Sequence, residues 1–440
     1  MSSSIAAGVY TGLSMFLDAA AFATVVFAPA GLPLDVGIQH ALLGFVLMQS
    51  VGSFFSASGK IITPISYEVM PFLARFASIA SKTVSSDALL PTVFAGSMLV
   101  SFAAALLCGF LSLLPIGGGV EKLLPPTLQA GLFAAMGWGL YTLSYETLGF
   151  EGDNLPFSPV IATAEAARLW LPAHILGLGL WLASKQTASP ALFPGFVVGV
   201  TILTHAVRVG TGTSLEDAQA SHWLMASTSG RPCVHLFESA YKFDAVRWDV
   251  ILAPDALKEL LCALLFGPMI NTVLNLVLIG PVIEDVVALP TELRAHAAGA
   301  MAAAIGGGYS NYVAVSNTAI HRKCGGLDRL SCYCAAAIAL LFLVVHPLFA
   351  VVGYVPTLVV AAICVYIGAD FLWDNLVVTG MESGLGSALA SWAILAICLL
   401  KDMLYGVVLG IIAFQLHAAF FVQKAPAMPK SPAMYSKKKQ

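Results

Sequence analysis

Apolar runs of about twenty residues, broken by short polar stretches, recur along this chain. They predict membrane spans near residues 5–28, 36–55, 90–114, 127–147, 168–184 and 191–206, each long enough to cross a hydrocarbon layer of about 30 Å with modest tilt. A polar stretch of mixed charge at 207–250 follows and reads as an extramembrane loop. Further spans are predicted near 255–280, 294–305, 328–348, 354–373, 386–400 and 403–422.

Two stretches break this pattern. From Gly306 to Asp328 a glycine run precedes a short apolar segment that is interrupted by Ser316, Asn317 and Thr318 and closed by a basic exit. Glycines let the backbone leave regular structure, Ser or Asn can cap a restarting helix, and the apolar part is too short to cross. The pattern predicts a half-helix. A second is predicted after Ser58, where Thr63-Pro64 has the form of an N-cap with proline at the first helical position, Ser66 follows, and Glu68 lies one turn in. Half-helix N-termini turn unpaired N–H groups and a positive dipole end toward the mid-membrane, where a solute can bind.

With both half-helices the count is about fourteen segments, and it divides into related halves. Pro126-Thr127-Leu128 opens one span and Pro356-Thr357-Leu358 another; Gly195 and Gly199 with His205 resemble Gly406 and Gly410 with His417, each set in the seventh segment of its half. Glycines four apart allow close helix contact. An odd number of segments per half forces the second half to be inverted, which places a site at the repeat interface. The expected organisation is a first repeat at 1–206, the loop at 207–250, a second repeat at 251–422 and a basic tail at 423–440.

Composition agrees: 58% of the 440 residues are hydrophobic, only 10% are charged, and mean hydropathy is +0.87, values outside the range of soluble globular domains. The net charge of −3 says nothing of partners, and no basic run with interleaved aromatics suggests nucleic acid. Seven of the eight cysteines lie in or beside apolar segments and Cys233 stands in the polar loop, so no disulfide framework follows. Cys332-x-Cys334 has no second pair or His cluster at ligand spacing and reads as helix packing, so no metal or cofactor is expected. No G-x-S-x-G elbow, H-E-x-x-H or phosphate loop suggests an enzyme, and no ring of like charge suggests a channel. The first apolar run lacks a basic n-region and reads as a membrane helix rather than a signal peptide.

Lys122, Lys185, the His321-Arg322-Lys323 cluster with Arg329, and Lys424, Lys430 and Lys437 to Lys439 fall on one side in a fourteen-segment arrangement. The positive-inside rule makes that side, with both termini, cytoplasmic, and puts the loop with Glu151, Asp153 and Glu165 outside. The terminal Lys-Lys-Lys-Gln reads as a solvated basic tail, with a dilysine retrieval signal as the alternative.

In several stretches the chain resembles the sulfate-permease (SulP) and solute-carrier anion transporter family. They are Ala7-Gly8 through Phe22, Glu121 to Gly139, Gly210 to Glu216 with Trp223, Thr291-Glu292-Leu293-Arg294, Gly306 to Leu330, and Asp402 to Gly410. Phe16-Leu17-Asp18-Ala19, Glu68-Val69-Met70-Pro71-Phe72 and Ser310-Asn311-Tyr312 are similar to a branch with fungal vacuolar members. The resemblance implies an all-α polytopic fold, a seven-plus-seven inverted repeat with core and gate domains, in a plasma or organelle membrane. Relatives commonly dimerise and carry a STAS domain after the last helix; here only the tail from Val422 follows, so contacts made by that domain do not carry over.

The resemblance also places the solute between the third and tenth half-helices and against the first and eighth helices. Carried over by position, the candidate contacts are Asp18 and Phe22 on the first helix, Thr63, Ser66 and Glu68, Asn271 and Asn275 on the eighth, and Ser316, Asn317 and Thr318. Asp18 stands where many anion-transporting relatives have glutamine, and Asn317 where several have arginine. An intramembrane carboxylate is costly and by default functional, so Asp18 and Glu68 are the candidates for proton coupling, with Arg75 the alternative partner of Glu68. Two solute classes satisfy both the helix dipoles and the acids: an anion carried with protons, or an amino acid with its carboxylate on the helix ends and its amine near Asp18.

Overall fold

The computed structural model describes residues 2–114, 126–150, 155–187, 189, 191–228, 232–378, 382, 384–401, 405–406 and 408–412. Lys122, Glu151, Asp153, Asp402, His417 and the tail at 423–440 lie outside the described residues. Within them the protein is helical, without a β-strand; one antiparallel bridge joins Leu224 to Pro356. In a hydrocarbon layer each backbone polar group must be satisfied within its own segment, which favours helix wherever the sequence is continuously apolar.

The helices are α1 (Ser2–Phe22), α2 (Leu34–Phe55), α3 (Met70–Thr83), α4 (Ser86–Leu111), α5 (Pro126–Thr147), α6 (Ala164–Gln186) and α7 (Leu192–Gly210), then α8 (Pro254–Leu278), α9 (Leu289–Gly306), α10 (Val315–Lys323), α11 (Arg329–Val344), α12 (Thr357–Leu372) and α13 (Leu385–Leu400). Among the described residues six helical stretches are long and apolar enough to cross a membrane unaided, while α11 and the 3₁₀ segment after it bend by 93° at a break. The fourteenth expected segment is described only at residues 405–412, and in part. Within the expected loop at 207–250 the described residues include short helices at Leu215–Ala220 and Val234–Ala240.

Helices α1 and α8, expected to be equivalents, carry the same interruption: a π turn at Ala23–Phe27 in one and at Leu265–Met269 in the other. In α8 the cause is chemical, because Pro268 has no N–H to give to the ladder.

Two bundles result. In the first, α9 packs on α2 and α4, α11 on α1 and α2, and α8 on α3, so each half contributes to one core. In the second, α12 packs on α5 and α6, and α13 on α5. The two helices opened by the Pro-Thr-Leu signature therefore lie against each other. Their backbones meet at glycines, since a Cβ on Gly368 would stand 2.7 Å from the carbonyl oxygen of Gly137. The other glycine signature does not behave as a pair. Gly195 and Gly199 have no atom within 4 Å of a Cβ position, whereas Gly406 and Gly410 face Cys398 Sγ and the Leu128 side chain. The reason is position: α7 packs only lightly, on α6 and α12, and turns those glycines away from both.

Candidate functional site

Both predicted half-helices exist, but neither starts where the sequence signals put it. The first begins at Met70, with Pro71 in its first turn, and residues 56–66 are irregular backbone. Thr63 cannot cap a helix there. Its N–H and hydroxyl both donate to Gln49 Oε1, at 2.9 and 3.2 Å, and Gln49 Nε2 donates to Ile61 O at 2.8 Å. Glu68 consequently sits in the turn before the helix and not one turn inside it. The second half-helix begins at Val315 with Ala314 as N-cap and no side-chain cap bond; Ser316 Oγ, in the first turn, instead donates to Asn317 Oδ1 at 3.3 Å.

The extended stretches before the two half-helices, 56–69 and 307–314, cross and bond to each other. Ala314 N donates to Ile62 O at 3.2 Å, and Ile62 N donates to Thr318 Oγ1 at 3.0 Å. Side chains of the core bundle satisfy the remaining polar backbone, as buried N–H and C=O groups require. Ser101 Oγ accepts from Ser310 N at 2.8 Å, and His40 Nδ1 donates to Gly307 O at 2.9 Å. Asn275 Nδ2 donates to Val313 O at 2.6 Å, and Asn271 Nδ2 donates to Phe266 O, inside the π turn, at 2.5 Å. Gly307, at φ +77°, ends α9 in the left-handed region. Gly44 lets α2 touch the second crossover, for a Cβ there would lie 2.2 Å from Tyr309 O.

At the crossing stand the two acids. Asp18 and Glu68 are 5% and 7% exposed, and each is held by a phenol: Tyr67 OH donates to Asp18 Oδ1 at 3.0 Å and Tyr312 OH to Glu68 Oε1 at 2.6 Å. Neither carboxylate has an ion-pair partner among the described residues. Arg75 pairs with Glu259 on α8, at 3.6 Å, and not with Glu68. Asp18 and Tyr67 line a cavity whose other wall is apolar and comes from α7, α12, Val355 just before α12 and Met225 in the 207–250 segment, with Val197 and Ile363 among the lining residues. Phe22, fully buried, stacks on Tyr309 at 6.0 Å between ring centres.

Four buried polar atoms on the crossover segments lack a hydrogen-bond partner among the described residues: Ser66 Oγ, Glu68 Oε2, Tyr309 OH and Asn311 Nδ2. Unsatisfied buried groups cost roughly 1–3 kcal/mol each, so four along two crossing segments point to a ligand surface. Of the predicted contacts, Asp18, Phe22, Thr63, Ser66, Glu68, Asn271 and Thr318 are buried, Asn275 and Asn317 partly so, and Ser316 is exposed. Thr63, Asn271, Asn275 and Thr318 spend their polar groups on backbone or on Gln49. Tyr67, Tyr309, Asn311 and Tyr312 were not singled out as contacts, although each lies within the glycine-run segment or next to Glu68. No group of three or more metal-ligating side chains occurs among the described residues.

Residues 186–382 match the sulfate permease family, and no curated protein matches the chain. Similar solved structures include the transmembrane domain of a cyanobacterium bicarbonate transporter, BicA, at 18% identity and TM-score 0.65, over 92% of this chain and 97% of that one. The overall structure of SLC26A9 matches at 14% identity and TM-score 0.64, over 94% of this chain and 65% of that one. The murine Slc26a9 anion transporter in the inward-facing state matches at 14% identity and TM-score 0.62, over 94% and 68%. This chain thus spans about two thirds of the length of the SLC26A9 chains. At these identities the likeness establishes the fold. The sulfate permease family match over residues 186–382 and that shared fold together mark a helical, multi-pass membrane protein.

Proposed function

We propose that the protein is a secondary transporter that moves a small anion by alternating displacement of the core bundle against the gate bundle, with protons carried on Asp18 and Glu68. One observation carries this reading: two buried carboxylates, each held by a tyrosine hydroxyl, stand where two broken helices cross, beside four buried polar atoms without partners. The family match and the names of the structural neighbours, a bicarbonate transporter and an anion transporter, support an anion as solute. Two unpaired carboxylates would repel an anion by several kcal/mol in a medium of low effective dielectric unless they are protonated. Proton co-transport removes that conflict.

Uptake into proteoliposomes with and without an imposed pH gradient tests the proposal. Asp18→Asn should abolish uphill accumulation while retaining exchange at equal pH, because the amide matches the protonated acid in shape. Uphill transport that survives in this variant would reject the role of Asp18. A second reading, a zwitterionic or cationic amino acid with its amine at Asp18, is favoured by the absence of any ion-pair partner for the two acids among the described residues. It predicts that Asp18→Asn loses exchange as well, with the fold intact. The distribution of basic loops favours cytoplasmic termini in a plasma or vacuolar membrane, and a homodimer follows only from the habit of relatives.

A further inference from the structure

A second cavity lies behind the first crossover, away from Asp18, between the end of α2, the segment leading to Thr63 and the first turns of α9. Its free volume is about 20 Å³, room for a single water-sized occupant. Glu292 and His296, four residues apart on α9, share the face that lines it. Ser53, Ser56 and Thr63 line it as well.

Two features mark this cavity as a site and not a packing gap. Glu292, 4% exposed, uses only Oε1, which accepts the backbone N–H groups of Ala57 and Ser58 at 3.0 and 3.2 Å. Its other oxygen makes no hydrogen bond or ion pair among the described residues, and Arg329, which donates to Ser56 O at 2.7 Å, does not itself line the cavity. His296, 3% exposed, meets Thr272 Oγ1 through Nε2 at 3.3 Å, while its Nδ1 has no partner among the described residues. A buried carboxylate with no ion-pair partner among the described residues is costly, and so is a ring nitrogen that lacks a partner among them.

We propose that this cavity binds one small monovalent cation, with Glu292 as the charged ligand. A single carboxylate matches a single positive charge. Hydroxyl and carboxylate oxygens suit a hard ion, and the volume admits one atom. The consequence reaches the transport site, because Glu292 holds the start of the first crossover through Ala57 and Ser58, and Thr63 is fixed by Gln49 in the same wall. A bound cation would tie these two anchors together and stiffen the segment that presents Ser66 and Glu68. The inference stands on this cavity alone and does not require a particular transported solute.

The test is thermal unfolding of the purified full chain across a NaCl titration, with ionic strength held constant by N-methyl-D-glucamine chloride. Wild type should show a saturable rise in Tm, as expected for a ligand that binds only the folded state. Glu292→Gln keeps a carbonyl oxygen for Ala57 and Ser58 but loses the charge, and should raise the half-saturating Na⁺ concentration by on the order of tenfold or more. Ala295→Val, which fills the cavity without altering a ligand, should abolish the response, and it serves if the first variant fails to fold. Asp18→Asn should respond as wild type does. A flat wild-type titration would mean that the cavity holds water only and would overturn the proposal. So would a response that persists in both cavity variants or disappears with Asp18→Asn.

Discussion

Replacing Gln49 by leucine removes the side chain that holds the first crossover. Gln49 is 1% exposed and makes four hydrogen bonds: Nε2 donates to Ser53 Oγ at 2.9 Å and Ile61 O at 2.8 Å, and Oε1 accepts from Thr63 N at 2.9 Å and Thr63 Oγ1 at 3.2 Å. Leucine has similar reach but no polar atom, so a buried N–H and a buried C=O are stranded. At roughly 1–3 kcal/mol for each stranded group, the cost is about 2–6 kcal/mol. With an unfolding entropy of about 2.1 cal/mol/K per residue, a chain of 440 residues should show a fall in Tm of about 2–7 °C. Thr63→Val loses only the hydroxyl bond, worth about 0.5–1.5 kcal/mol, and should fall by less than about 2 °C. Fluorescence-monitored unfolding of the purified variants measures both. A Gln49→Leu protein as stable as wild type, or a Thr63→Val protein that falls as far, would refute the idea that Gln49 clamps the backbone.

Gly44→Ala drives a methyl to 2.2 Å from the Tyr309 carbonyl oxygen, and at a cost of about 1–3 kcal/mol or more should reduce the yield of monodisperse protein. Gly52→Ala on the same helix, with its nearest neighbour at 3.8 Å, should elute normally in size-exclusion chromatography. Tyr312→Phe strips Glu68 Oε1 of its donor and should slow solute exchange in proteoliposomes by about tenfold, from the loss of one charge-assisted bond; an unchanged rate would remove Tyr312 from the site. Outside the bundles, the Lys60 ammonium at 3.0 Å holds the Asp285 carboxyl below its usual range. A depressed folded pKa stabilises above the unfolded value and loses that contribution as pH falls through the folded one. The Tm gap between wild type and Asp285→Asn should therefore close under acid conditions, and a gap that widens on acidification would contradict the pairing.

Much of the architecture was legible in the sequence because a hydrocarbon layer leaves an apolar run few alternatives to a helix. The run lengths and the glycines at 306–308 locate most of the helices and the second crossover, whereas the contact between α5 and α12 is seen only in the structure. The family resemblance placed Asp18 and Glu68 at the site by position, and residue chemistry singled them out there, since acids in hydrocarbon are rare and expensive. Where the half-helices begin was not local information. Thr63-Pro64 carries a sound start signal, yet Gln49, fourteen residues earlier, takes both donors of Thr63 and postpones the helix to Met70. Likewise Thr318 spends its hydroxyl on Ile62, 256 residues away, and Arg75 turns to Glu259 instead of Glu68. The phenols of Tyr67 and Tyr312 reach the acids only once the two crossover segments have met. Helix formation under a bilayer is decided within one segment, whereas the hydrogen bonds of an extended crossover are completed by whichever distant side chains the fold brings to it, and those partners belong to the tertiary structure.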